Sequence, residues 1–313
     1  MTKITELVTH NGKFHADEVF STMILKDLFP EAELVRSRDP EWTAPAEGRI
    51  VYDVGGAFDP EQNLFDHHQT GAPTREDGAA YSSFGLIWQE YGAEWLSRRI
   101  DDPTLVDTLW GRLDRGFVNV IDALDTGEYS ADNAGRLRVA TLPMMIEDCN
   151  PVFDDDDPAS VMDGFTRAMT LAEGFLETRV HVMSASIRAG EIARQAVIDT
   201  GDRQIMELSR GMPFERAIRE LDADHILFVV TKRDTDWSIS TVRDTPGSYV
   251  NRKDLPAEWA GLTGEDLSAA TGVPGGVFCH KALFVAIAET REAAMAMAEM
   301  AVRYEIEERS IAP

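Results

Sequence analysis

Three short apolar runs in the first third of the chain end on the same chemistry. "ITELVTH" stops at His10, "RIVYDV" reaches Asp53 just before Gly55 and Gly56, and "NLFDHH" closes on Asp66, His67 and His68. Apolar and β-branched runs bounded by turn residues predict strands, and "AELVRSR" (32–38) reads as another. Between them the period changes. From Ala16, Phe20, Ile24 and Leu28 recur at every fourth position, a helical face that Pro30 ends. Phe84, Ile87, Trp88 and Tyr91 predict a helix over 81–91 with Gly92 as its C-cap. Leu105, Leu109, Leu113, Phe117, Ile121 and Leu124 keep helical spacing up to Gly127. Strand, helix, strand, strand and helices in this order predict an α/β domain on a mainly parallel sheet. Ligand sites in such sheets form beyond the carboxyl ends of the strands. His10, Asp53 and Asp66 would therefore gather at one place.

Length sets a prior of two domains for 313 residues. We expect a metal-binding domain over 1–204 that includes a helical linker, and a smaller α/β domain over 205–313. The linker is the apolar periodicity from Val161 to Ile192, ending near Gly201. In the second domain, "HILFVVTKR" (225–233) and "WSISTVR" (237–243) predict a hairpin around "DTD", and "GGVFCHKALFVAIA" (275–288) two more strands. "TREAAMAMAEMAVRYEIEE" predicts a helix whose methionines pack in the core. "DDDDP" (154–158) predicts a solvated loop before a helix, because four consecutive carboxylates make a poor metal site.

Two cysteines, neither in a zinc spacing, exclude a disulfide framework and a thiolate metal site, and Cys279 reads as a buried small hydrophobe. The absence of a signal, transit or membrane-spanning pattern predicts a cytoplasmic protein. A net charge of −25 argues against a protein that coats nucleic acid through a basic face. It leaves room for a local groove in which metal ions supply the positive charge.

The chemistry concentrates in four clusters: His10, His15 and Asp17 in "HNGKFHAD"; Asp53 in "VYDVGG"; Asp66-His67-His68; and Asp122 with Asp125 in "IDALDTG". Each has an ordinary reading, as a strand-end histidine, a turn aspartate or a helix-end carboxylate. Those readings do not explain why three clusters end predicted strands. His10, His15, Asp17, Asp53, His67 and Asp125 offer six ligands, more than one ion with open positions needs. Two divalent ions about 3.5–4 Å apart sharing a carboxylate would use all six. Hard and borderline ligands suit Mn²⁺, Mg²⁺, Co²⁺ or Zn²⁺. Asp66 and His68 would orient His67 or touch a phosphate.

On these strings, and on "RSRDP", "YSSFGLIW" and "GVPGGVFCHKALFVAIAETREAAMAMA", the chain resembles the melanocyte-proliferating-gene (Myg-type) exonuclease family of the DHH phosphoesterase superfamily. The resemblance covers nearly the whole chain. It implies a DHH phosphoesterase domain followed by a smaller α/β domain, with substrate in the cleft between them. It also implies a metal-dependent 3′-to-5′ exonuclease acting on RNA, with Mn²⁺ the foremost ion. His10 and His15 would hold one ion, Asp17, His67 and Asp125 the other, and Asp53 would bridge them. Asp53, Asp66 and His68 would be the catalytic groups. His15 stands where the wider superfamily usually has aspartate. A substrate role falls to Gly275, Gly276, His280 and Lys281, with Arg36, Arg38 and Arg243 as local positive charge. The expected partner is single-stranded RNA or a short oligonucleotide, and no membrane. The same ligands would also serve a small-molecule phosphohydrolase acting on pyrophosphate, polyphosphate or very short oligonucleotides. A metal-stabilised binding protein without turnover is the third reading.

Overall fold

The structure, a computed structural model, describes residues 3–155 and 157–304. The chain divides into two compact units, Met1–Ser184 and Ala185–Pro313.

The first unit opens with β1 (Glu6–Thr9), α1 (Ala16–Leu28), β2 (Glu33–Arg36), a single helical turn α2 (Pro40–Thr43), β3 (Arg49–Tyr52), β4 (Phe58–Asp59) and β5 (Leu64–Phe65). The strand order is β2-β1-β3-β5-β4. The first four of these run parallel and β4 is antiparallel. Parallel strands are covered on both faces, so they read as continuous apolar runs: Leu7, Val8, Ile50, Val51 and Tyr52 are all buried. The predicted strand over 63–68 shrinks to two residues. From Asp66 onward the backbone N–H groups of His67 and His68 turn to the Asp66 carboxylate rather than to a neighbouring strand.

Four helices follow before a long one: α3 (Ser83–Ser97), α4 (Pro103–Leu113), α5 (Asn119–Asp125) and α6 (Leu142–Glu147), then α7 (Pro158–Thr200). A π-helical turn over Asp114–Val118 joins α4 to α5. α3 runs straight through Gly92, which is no C-cap. That glycine keeps its place because its Cα lies on the Trp88 indole, where a Cβ would come within 2.7 Å of the ring. Phe20 stacks on Phe84 at 4.9 Å between centroids, and Phe117 meets Phe20 edge-on at 5.2 Å, fixing α1 against α3. Phe20 and Phe84, both fully buried, each contribute about 1.5–3 kcal/mol.

The second unit carries β6 (Ile205–Leu208), α8 (Glu215–Glu220), β7 (Phe228–Lys232), β8 (Trp237–Thr241), α9 (Gly264–Thr271), β9 (Gly276–Cys279), β10 (Val285–Ala288) and α10 (Arg291–Arg303). Its order is β6-β7-β8-β10-β9, and among the described residues β6–β7 is its one parallel pair. The β7–β8 hairpin is the predicted one. α10 buries Ala293, Ala294, Met297, Ala298 and Ala301 against Phe228, Val230, Ile239 and Ala286. The end of the predicted tail helix, past Tyr304, and Asp156 of the acidic run lie outside the described residues. Asp157 caps α7 by accepting from the Ala159 N–H at 2.9 Å, the ordinary role expected for that run. Among the described residues, no helix is long and apolar enough to cross a membrane.

Candidate metal centre

The parallel strands of the first unit deliver His10, Asp53 and the Asp66–His68 turn to one end of the sheet, as the strand-end pattern predicts. Asp53 follows β3 with φ +57°, a left-handed conformation that costs a non-glycine residue about 1 kcal/mol. The turn aims its carboxylate between two imidazoles. Oδ2 lies 3.1 Å from His10 Nε2 and Oδ1 3.1 Å from His67 Nε2. His67 Nε2 is also 3.3 Å from Oδ2 of Asp125, the last residue of α5. Asp17, in the first turn of α1, is fully buried and accepts from Ser83 Oγ at 2.8 Å with one oxygen. Its other oxygen has no hydrogen-bond partner.

Asp66 spends its oxygens on the chain itself. It accepts from the N–H groups of Gly56, His67 and His68 and from His68 Nδ1 at 2.7 Å, which locks the turn. His68 is 60 % exposed and keeps Nε2 for the cavity. Asp122, the other acid of "IDALDTG", does not join the cluster. It accepts from Ser82 Oγ and the Gly85 N–H and pairs with the Arg75 guanidinium at 2.7 Å.

Electrostatics argue for a cation. Burial and the nearby Asp53 charge push Asp17 upward. Burial likewise lifts Glu18 to about 8 and, with the Asp17 charge, Asp125 to about 9. Burial alone would raise Asp53 and depress His10, yet their mutual contact wins, holding Asp53 at about 2 and His10 at about 10. Packing this many like charges into a low-dielectric site is expensive without neutralisation. Four overlapping groups have ligand atoms mutually within 4.8 Å: Asp53-Asp66-His67-His68, His10-His15-Glu18, His15-Asp17-Asp125 and Asp17-Glu18-Asp53. The residues therefore fit divalent metal ions.

Glu18 is a member the clusters chosen from sequence omitted. It lies 3.0 Å from His10 Nε2 and accepts from the His15 N–H at 2.8 Å. The signal was present, since a glutamate three residues past a helix cap is the capping-box spacing. Asn150 carried no signal at all. Its side-chain amide accepts from the Phe14 N–H and donates to the Phe14 carbonyl, both at 2.9 Å, clamping the loop between His10 and His15 from 136 residues away.

The centre opens into a cavity of about 760 Å³ lined also by Lys13, Arg38, His68 and Tyr81. Arg38 thus faces the site, whereas Arg36 does not line the cavity. The Arg36 guanidinium sits 4.5 Å from the Phe165 ring centre and donates to the Gly12 carbonyl, bracing the histidine loop from behind.

The residues expected of the second unit separate into two groups. Gly275 and Gly276 stand at the start of β9. The Gly276 N–H already donates to Ser268 Oγ at 3.0 Å, and Gly275, at φ +89°, accepts from the Glu289 N–H. His280 stands just past the other end of that strand, its ring 4.5 Å from Phe284. Its Nδ1 accepts from the Ala282 N–H, leaving Nε2 to carry the proton outward. Arg243 lies over the same Phe284 ring at 5.4 Å, and Lys281 is exposed.

With this geometry described, the chain can be set beside known proteins. The sequence profile MYG1_exonuc, described as Uncharacterised protein family (UPF0160), matches residues 6–302. The human MYG1 exonuclease is 32 % identical over 319 aligned positions, covering 93 % of this chain and 84 % of the human one. A MYG1 protein of Caenorhabditis elegans is 32 % identical and covers 96 % of each chain. Among solved structures, RecJ of Thermus thermophilus in complex with Mn²⁺ aligns with 96 % of this chain at 14 % identity. This chain spans 52 % of that protein, and the TM-score of 0.26 is too low to carry an argument. The profile match and the coverage of the human and nematode relatives carry the assignment: this chain belongs to the MYG1 exonuclease family.

Proposed function

We propose that the chain is a metal-dependent exonuclease that trims single-stranded RNA from its 3′ end, using two divalent ions, Mn²⁺ foremost. One observation carries the reading. Asp53 touches His10 with one carboxylate oxygen and His67 with the other, the position a bridging carboxylate takes between two ions. His10, His15 and Glu18 would hold one ion, and Asp17, His67 and Asp125 the other. Such ions supply charge against phosphoryl oxygens and make water acidic enough to deprotonate near neutral pH. The chain's own groups do the rest. Asp66 fixes the His68 ring through Nδ1, so that Nε2 meets a phosphate oxygen as charge develops. Lys13 and Arg38 attract the backbone into the cavity. His280, Lys281 and Arg243 form a second contact for the chain. The name of the human relative supports the exonuclease reading.

A second reading, a small-molecule phosphohydrolase, draws support from the net charge of −25, which repels a long polyanion. A Mn²⁺ assay with 5′-labelled single-stranded RNA, with pyrophosphate in parallel, separates the two. A ladder of shortening labelled products, absent in Asp53→Asn, is expected. Phosphate release from pyrophosphate beside intact RNA would replace the substrate and keep the metal centre.

A further inference from the structure

A second, smaller cavity of about 280 Å³ meets the metal centre at His15 and Asp125. Its character is opposite to that of the first. The larger cavity carries Lys13 and Arg38, whereas this one has no Lys or Arg among its lining residues. Ile121, Leu124 and Pro143 supply its apolar wall, while Asp17, Asp125 and Glu147 offer carboxylate acceptors and His15 an imidazole. A phosphate would meet three carboxylates against one imidazole there and is disfavoured. A flat, uncharged group with an N–H to offer fits.

The wall is held in place. Pro143 and Glu147 both belong to α6, and Asn150, three residues further on, is the side chain that clamps Phe14 beside His15. The cavity is therefore built against the metal ligands rather than left by a loose loop. Its volume sits at the lower edge of small-molecule sites. It admits one nucleobase and no second nucleotide.

Resting on the exonuclease reading, we propose that this cavity receives the base of the terminal nucleotide, while the rest of the strand leaves through the larger cavity, past Lys13 and Arg38. Hydrolysis there adds water to phosphorus, breaks the P–O3′ bond and leaves the proton on the 3′ oxygen of the shortened strand. The released product is a nucleoside 5′-monophosphate, with only its base in the small cavity. Glu147 accepts an N–H from the base, either the exocyclic amino group of adenine, cytosine or guanine or the N3–H of uracil, so the cavity selects for a base rather than among bases.

Calorimetry on the Mn²⁺-loaded protein with AMP and with ribose 5-phosphate tests this without relying on turnover. AMP is expected to bind on the order of tenfold tighter, since only it has a base to bury. Pro143→Trp fills the cavity and should erase that preference while manganese stoichiometry stays unchanged. Glu147→Trp, at an exposed position, closes the same wall should the first variant fold poorly. Equal affinity for the two ligands, or a preference that survives both tryptophans, overturns the proposal. The exonuclease reading fails separately: base-dependent binding by a protein that never shortens RNA would sink that reading and leave the base pocket standing.

Discussion

The two sheets treat their candidate site residues in opposite ways. In the first, His10, Asp53 and Asp66–His68 come from three strands spread over almost sixty residues, yet they meet within hydrogen-bond distance. In the second, Gly276 and His280 are neighbours in sequence and fall at opposite ends of β9. Strand direction explains the convergence, and strand length the separation, since the ends of one strand lie apart whatever its direction. Parallel strands present all their carboxyl ends on one side, so distant residues converge. Antiparallel strands alternate, and a four-residue strand carries its two ends about 10 Å apart. Side chains at the ends of parallel strands can thus be read as a set. Residues along one antiparallel strand cannot.

The largest effect should separate the two regions outright. Asp53→Asn is expected to lower hydrolysis by at least about 10³-fold and to reduce bound metal, while His280→Ala keeps full metal content and raises KM. Metal analysis beside steady-state kinetics reads both. If His280→Ala instead strips metal, the functional division between the units is wrong. Next comes chelation. Removing the proposed ions takes away the stabilisation that their binding supplies, so EDTA should cost the first unit roughly 3 kcal/mol and leave the second unchanged. Hydrogen exchange resolved by segment would show whether the loss stays within residues before Ser184. Asn150→Ala removes two hydrogen bonds from Phe14 and should cost about 1–3 kcal/mol, visible as lost protection of the Phe14 amide even in metal-free protein. A variant that keeps this protection would show that the loop holds itself. The smallest change is Gly275→Ala, which forces a Cβ onto a residue at φ +89°, 3.4 Å from Glu289. A loss of about 1 kcal/mol with metal content intact is expected, read by urea denaturation.

Much of the first unit was legible because the signals were local. The four-residue period that places Ala16–Leu28 in a helix, and the apolar runs that become β1 and β3, need no distant partner to be read. Gly92 misled because a glycine has two uses. One is to end a helix in a left-handed turn. The other, the actual one, is to let an indole lie on its backbone. β4, two residues long and paired antiparallel to β5, offered too few positions for any period to emerge. Of the site, the gathering of His10, Asp53 and the Asp66–His68 turn at one end of the sheet was readable, whereas Asp66, expected to orient His67, holds the His68 ring through Nδ1. Glu18 was hidden behind its second role as a helix cap. Arg36 shows the limit of reading charge as recognition, for its guanidinium is occupied by two phenyl rings and a carbonyl.

The Asn150 clamp also dates the site's assembly. A contact across 136 residues must wait for its loop-closure entropy to be met, and during synthesis it must wait for residue 150 to leave the ribosome. Until then the loop between His10 and His15 lacks its outer brace. The nascent chain thus holds its histidines before it can hold them in register. The loop that carries His10 and His15 can therefore take its final form only once at least 150 residues of the chain are made.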